Sequence, residues 1–524
     1  MDIYNNFFDE QINLFPSLNE HLNLDDYRYL NNQLENDLDS KHIQQQKKLY
    51  NKYLDLMNKK KNLSIYDKTL LYLCKNCLES HKYNYHLTPI NHQNNFITYF
   101  MENASGNGSY LFNKIVDYDN FIEKITIYPE IVTCIIKNMT IGITKKYTLP
   151  KIIVEYLIEQ LTNSIKHKTY LNKNIKYKLK YDFNKLCDTI FTESTKKLIH
   201  FLDNTYKPRC RNTIGMCDLP NGKNEYIYLV KSTLTLDNVS INEIHEYGKS
   251  EVERIFNLMM KVKNDLNFNS TDNLKNFNKY LHNHKSLQFK NKEDLLKTYR
   301  KCYKNIDNTI MQTNFHNNVK NKCLIIPVPK YNEKYSPEAY YMPGDIQNKR
   351  NGKFYINLRN IKDNSKLEVE SLTLHEVNPG HHYQLTYVNE KKDIPLFIKS
   401  YSNTSYEEGW ALYCENLGSY KDITSYYGKL ILEMVRALRL VVDTGIHYYG
   451  WPYEKTFDYY KKYSFDSNIQ IKNQLLRYIA IPSQALAYKM GEKIILDLKK
   501  KYKGNVKDFH EKILENGAIP MFLL

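Results

Sequence analysis

The sequence predicts a mainly α-helical protein with a small β-sheet in its second half. Apolar residues recur at three- and four-residue spacing from Asp25 to about Lys320, the signature of helices with one buried face. Two short apolar runs, residues 323–329 and 353–358, break that pattern and read as strands. Four more helical segments follow, beginning near Lys366, Ser405, Ser425 and Ile471. With 524 residues, 42% of them hydrophobic, the chain can bury a large core.

In chain order, Cys74-Lys75-Asn76-Cys77 lies inside an apolar, helix-like run with no second pair nearby. One pair cannot fill a tetrahedral zinc site, so both cysteines are assigned to core packing. Residues 208–220, with Gly, Cys and Pro, read as a loop, and residues 225–230 (EYIYLV) as a short strand. Within residues 244–266, Val252, Ile255, Phe256 and Met259 share one helix face. His245-Glu246 precedes Lys249 where a second ligand would be needed, and is assigned to a surface helix. The texture changes near residue 320, dividing a helical region (1–320) from a region of sheet and helices (321–524) within one continuous fold.

The net charge is +16, but the lysines are interspersed with Asn, Asp, Glu and Tyr, and no basic groove with stacking aromatics stands out. An AT-rich coding sequence accounts for the Lys, Asn, Ile and Tyr content, and no specific nucleic-acid partner is expected. Nine scattered cysteines suit reduced thiols. The chain shows no run of about 18 apolar residues and no signal-peptide pattern at its start, so an intracellular, cytoplasmic protein without a membrane partner is expected.

The chemistry concentrates in His375-Glu376-Val377-Asn378-Pro379-Gly380-His381-His382 and in Glu407-Glu408-Gly409-Trp410. In a zinc-protease helix two histidines four residues apart share one zinc, and the intervening glutamate activates water. Here the fourth position after His375 is Pro379, and an unbroken helix would carry His382 about 10.5 Å along the axis. Pro379-Gly380 permits a bulge that swings an imidazole back, with His381 favoured and His382 the alternative. The third ligand is expected from another helix, Glu408 before Glu407. Glu415, on the face of Glu408 and Leu412, is placed to hold a ligand histidine from behind.

The run from His375 to Gln384 resembles the H-E-x-x-P-G-H-x-x-Q signature of domain-of-unknown-function family 885, and residues 408–415 resemble its E-G-W-A-L-Y-x-E block. The likeness continues through residues 439–447, Gly450-Trp451, Arg477-Tyr478 and residues 482–491, with Ser483 where glycine is commoner and Gln474 where an acidic residue is frequent. That family is similar to the gluzincin peptidases. The resemblance implies a multi-helix body with a deep cleft, a small antiparallel edge sheet beside the zinc helix, and peptide cleavage. It implies one zinc per chain held by His375, His381 and Glu408, with Glu376 as the base.

On that reading His447 and Tyr488 are candidate oxyanion donors, and Asp443 orients His447 or pairs with Arg439 or Arg436. Arg477 is a candidate clamp for a substrate carboxylate. Tyr355 and Asn357 lie on a strand expected to pair with an extended substrate, and residues 344–352 are expected to form a mobile hairpin at the cleft mouth. Two alternatives share the residues: a zinc hydrolase of esters or non-peptide amides, and a catalytically silent binding scaffold.

Overall fold

The computed structural model describes residues 2–269, 271–330, 333, 337–345 and 350–524, apart from the side chains of His21 and Asp363. The chain is mainly helical with one small sheet, and its contacts divide it into two units, Met1–Tyr226 with Ile479–Ile481 and Ile227–Tyr478 with Pro482–Leu524. The change of texture near residue 320 thus falls inside the second unit.

The first unit is a set of helices around an aromatic core. Phe100, Tyr128 and Phe191 meet edge to face at 5.2 and 4.9 Å, and the buried Tyr128 hydroxyl pairs with that of Thr195 at 2.6 Å. Much of the tyrosine content is used in this way, as core rings whose hydroxyls find a partner. Cys74 is buried and Cys77 partly buried on the Ile65–Ser80 helix, and all nine cysteines are thiols outside any disulfide.

Residues 225–230 are not a strand but part of the Gly222–Leu234 helix. Tyr226, Val230 and Leu234 are all fully buried, so four-residue spacing prevails over the β-propensity of the aromatic and branched residues between them. The segment around His245 also differs from expectation. His245 is buried, with Nδ1 2.8 Å from the Thr444 hydroxyl, while only Glu246 reaches solvent to pair with Lys249. Its helix, Ile241–Asp265, packs closely on Ile423–His447: a Cβ on Gly248 would lie 2.7 Å from that of Leu440.

The sheet in the second unit has three strands, β1 (Cys323–Pro327), β2 (Ala339–Met342) and β3 (Gly352–Ile356), in the order β1-β3-β2. It is mixed rather than antiparallel, because β3 pairs parallel with β1 and antiparallel with β2. Phe354 and Ile356 of β3 pack with Val369 and Val377, which sets the sheet beside the helix that carries His375. Of the expected hairpin, residues 346–349 lie outside the described residues. Among the described residues no helix is long and apolar enough to cross a membrane.

Two buried polar groups tie the second unit together. Lys489 is 1% exposed and pairs with Glu433 and Glu492, each at 2.6 Å, and with Glu251 at 3.1 Å, joining three helices. His510 is fully buried behind Trp410, with the Tyr413 hydroxyl at Nε2 (2.7 Å) and the Asn314 carbonyl at Nδ1 (2.9 Å).

Burial pushes the His510 imidazole down from 6.5 to about 4. As pH falls, the unfolded chain takes up this proton before the folded one. The contribution to stability is therefore whole above about pH 6.5, declines towards about pH 4 and is absent below. The gap between 6.5 and about 4 corresponds to on the order of 3 kcal/mol. Urea denaturation at stepped pH is expected to show His510→Gln flattening the decline between pH 6.5 and 4 by about that amount.

Candidate metal centre

Three helices build the site. The first, Val369–Glu376, ends one residue beyond His375, and the second, His381–Glu390, starts on His381. Between them Val377-Asn378-Pro379-Gly380 forms a full break, not a bulge, with Val377 at φ −109°, ψ −105° and Gly380 at φ −70°, ψ −136°. A Cβ on Gly380 would stand 1.8 Å from the His375 carbonyl oxygen, so only glycine lets the chain double back there. The break brings the His375 and His381 rings to 4.8 Å, nearly perpendicular.

The connecting segment is held from outside. The Trp410 indole N–H donates to the Pro379 carbonyl (2.7 Å), and Asn378 Nδ2 donates to Asp307 Oδ1 (2.7 Å). Asp307 opens a π-helical turn, Asp307–Met311. The Gln384 amide donates to the Tyr406 carbonyl (3.2 Å), fastening the second helix to the third, Thr404–Glu415. Sequence reasoning missed Asp307 and the tie made by Trp410, since no local spacing links Asp307 to a loop some seventy residues later.

The third helix carries Glu408. Its Oε2 lies 3.4 Å from His375 Nε2 and 3.5 Å from His381 Nε2, and one donor atom from each of the three residues falls within 4.8 Å of the others. These separations are long for hydrogen bonds, and Glu408 Oε2 is buried without a hydrogen-bond partner among the described residues. They match the edge of a tetrahedral zinc site, about 3.3 Å for ligand bonds of about 2.0–2.1 Å. Among the described residues this is the one His/Cys/Asp/Glu group with such spacing.

His375 Nδ1 meets Glu415 Oε1 at 2.8 Å, and the Ser371 hydroxyl donates to Glu415 Oε2 at 2.7 Å. With its proton on Nδ1, His375 turns the Nε2 lone pair towards Glu408 and His381. Burial alone would lower the His375 imidazole, but Glu408 and Glu415 raise it to about 10. Both carboxylates are held below their usual range against burial, Glu408 by His375 and His381 and Glu415 chiefly by His375. Without a metal, a proton thus serves as the cation that the donor set attracts.

The competing ligands are engaged elsewhere. His382 has Nε2 3.0 Å from the Asn321 carbonyl and Nδ1 3.0 Å from the Tyr341 hydroxyl, and burial pushes it down to about 4. Glu407 accepts from Ser402 and the Asn403 N–H at the start of its helix. Glu376 is half-buried, with no hydrogen bond or ion pair among the described residues.

Tyr488 lies near Glu408. A Cβ on Gly409 would lie 2.4 Å from the Gly491 carbonyl carbon, so the helix of Glu408 crosses Ala487–Lys501 backbone to backbone. Glu408 and Tyr488 flank that crossing, and the Tyr488 phenol is raised by burial and by the Glu408 charge. The Tyr488 oxygen accepts from Arg477 Nη2 at 3.3 Å, which leaves its own O–H free among the described residues.

His447 is placed otherwise. It is fully buried with Nε2 2.9 Å from the Tyr478 carbonyl, so that N–H serves the fold, not an oxyanion. Asp443 receives the Ser483 N–H at 3.1 and 3.2 Å, and Arg439 faces Tyr478 and Tyr488. Ser483 sits at φ +70°, which explains why glycine suits this position.

The strand expected to receive substrate is corrected too. β3 is paired on both sides, and the Tyr355 ring stacks on Tyr340 at 5.0 Å. Asn357 holds the Glu333 carbonyl at 2.7 Å. No backbone edge of β3 is left for a peptide to join.

Among solved structures, a protein from Colwellia psychrerythraea described as a putative lipoprotein is similar over 99% of this chain and 96% of its own, with a TM-score of 0.85 at 21% identity. One from Shewanella oneidensis, described in the same words and as of unknown function, aligns over 99% of this chain and 97% of its own, with a TM-score of 0.76 at 15% identity. At such identities the likeness is one of fold. No curated protein matches the chain. The family model described as bacterial protein of unknown function, DUF885, matches residues 16–524, and the chain therefore belongs to that family.

Proposed function

We propose that this protein is a zinc-dependent hydrolase of peptides. One observation carries the reading: a buried carboxylate oxygen without a hydrogen bond among the described residues stands 3.4 and 3.5 Å from the Nε2 atoms of two imidazoles, one ring being fixed from behind by Glu415. Two imidazoles and one carboxylate are a donor set that catalytic zinc takes with a coordination position left open. Zinc held by His375, His381 and Glu408 supplies Lewis acidity towards a carbonyl and makes water acidic near neutral pH.

The remaining roles fall to the chain. Glu376, adjacent to His375 and without a partner among the described residues, takes the proton of the attacking water and passes it to the leaving amine. Tyr488 donates its free O–H to the oxygen that gains charge. We read the helical body as gluzincin-like, because its ligands come from helices in the pattern H-E…H…E. Nine cysteines outside any disulfide fit a reducing compartment, and we place the activity in the cytoplasm.

Elemental analysis of purified protein is expected to find one zinc per chain, distinguishing it from manganese and cobalt, which accept similar donors. A quenched peptide library is expected to be cleaved, with activity lost to chelator and restored by zinc. Cleavage of esters alone would move the reading to another carbonyl substrate. Bound zinc with no hydrolysis of either would leave a scaffold, and a folded protein that refuses zinc would defeat the proposal.

A further inference from the structure

We propose that Arg477, with the charge of Arg439 behind it, receives the free α-carboxylate of the substrate, so that the enzyme trims peptides from their carboxyl end. This rests on the hydrolase reading above and names its substrate class.

The observation is a pair of guanidinium groups that make no ion pair among the described residues, Asp466 feeling the Arg439 charge without bonding to it. Arg439 is 6% exposed; its Nε donates to the Tyr478 hydroxyl at 3.2 Å, its guanidinium carbon lies 4.4 Å from the centre of the Tyr488 ring, and Nη1 is buried with no hydrogen-bond partner among the described residues. Arg477, at the Tyr488 hydroxyl, is half-buried. Its Nη2 donates to Gln484 Oε1 (2.8 Å) and to the Tyr488 oxygen (3.3 Å). Among the described residues Arg477 Nη1 and Nε have no acceptor, and neither arginine has an ion-pair partner.

A buried charge left unpaired costs several kcal/mol, roughly, and an anion that arrives only with substrate recovers much of it. Carboxylate is the anion that suits a guanidinium fork at a peptide-cleaving centre. Position agrees. The close approach of Gly409 and Gly491 brings the helices of Glu408 and Tyr488 together, the Tyr488 phenol feels the Glu408 charge, and Arg477 Nη2 lies 3.3 Å from the Tyr488 hydroxyl oxygen. An extended chain advances about 3.3–3.6 Å per residue, so a scissile carbonyl at Tyr488 puts a group one or two residues further on within reach of Arg477.

The test is binding, separate from turnover. N-acetyl tripeptides, each as free acid and as carboxyl-terminal amide, are titrated calorimetrically into zinc-loaded Glu376→Gln protein and into metal-free wild type. The acids are expected to bind at least tenfold more tightly than the amides. Arg477→Gln should abolish that preference and Arg477→Lys keep part of it, with thermal stability unchanged in both. Equal binding of acids and amides, binding of neither, or a preference that survives Arg477→Gln overturns the proposal. Wild type that cleaves amides as fast as acids overturns it while leaving the hydrolase reading intact. An Arg477-dependent preference in a protein that cleaves nothing supports carboxylate recognition and counts against hydrolysis alone.

Discussion

Glu376→Gln is expected to lower kcat about 10²–10⁴-fold while zinc content and thermal stability stay at wild-type values. Glutamine matches glutamate in size and keeps the end of the Val369–Glu376 helix packed, but its amide cannot take a proton. Glu376 makes no hydrogen bond or ion pair among the described residues, so the change strands no partner and leaves His375, His381 and Glu408 in place. KM should move little, since the carboxylate is assigned to proton transfer and not to holding the ground state. Steady-state kinetics and metal analysis on one preparation decide the matter. A loss of zinc with the loss of turnover would make Glu376 part of the donor set, and unchanged turnover would remove it from the chemistry.

The residues that meet at this centre were legible because helix periodicity and ligand chemistry are local properties. His375 with His381 or His382, Glu408 with Glu407, and Glu415 behind them all follow from spacing on two helices. The structure separates the alternatives, since both nitrogens of His382 are engaged by the Asn321 carbonyl and the Tyr341 hydroxyl. What stayed illegible depends on tertiary partners. β2 spans only Ala339–Met342 and carries too little alternation to announce itself, and without it β3 looked like an edge. Residues 225–230 have strand-like composition, yet burial every fourth residue makes them helical. His245 looked exposed until Thr444, about two hundred residues on, supplied its partner. The expectation of an oxyanion donor at His447 took no account of the Tyr478 carbonyl, which Nε2 meets at 2.9 Å, and the reading of Asp443 as a partner of His447 or of an arginine took no account of the Ser483 N–H that it accepts.

Gly380→Ala is expected to cost on the order of 3 kcal/mol in stability and to abolish zinc binding. The added carbon would meet the His375 carbonyl oxygen at 1.8 Å, the His375 carbonyl carbon at 2.4 Å and the Leu374 carbonyl oxygen at 2.4 Å. All three are backbone atoms, so no rotamer change relieves the clash. The chain must open between the two helices instead, and the opening separates His375 from His381, whose rings now stand 4.8 Å apart. The Trp410 and Asp307 hydrogen bonds to Pro379 and Asn378 resist that movement, so relief at the clash breaks contacts around it. Gly504→Ala is the control, because its nearest neighbours are ring atoms and the hydroxyl of Tyr502, which can swing away. Zinc titration and thermal melting of both variants should show loss in the first and near wild-type behaviour in the second. A Gly380→Ala protein that binds zinc with wild-type affinity would mean that His375 and His381 do not share an ion.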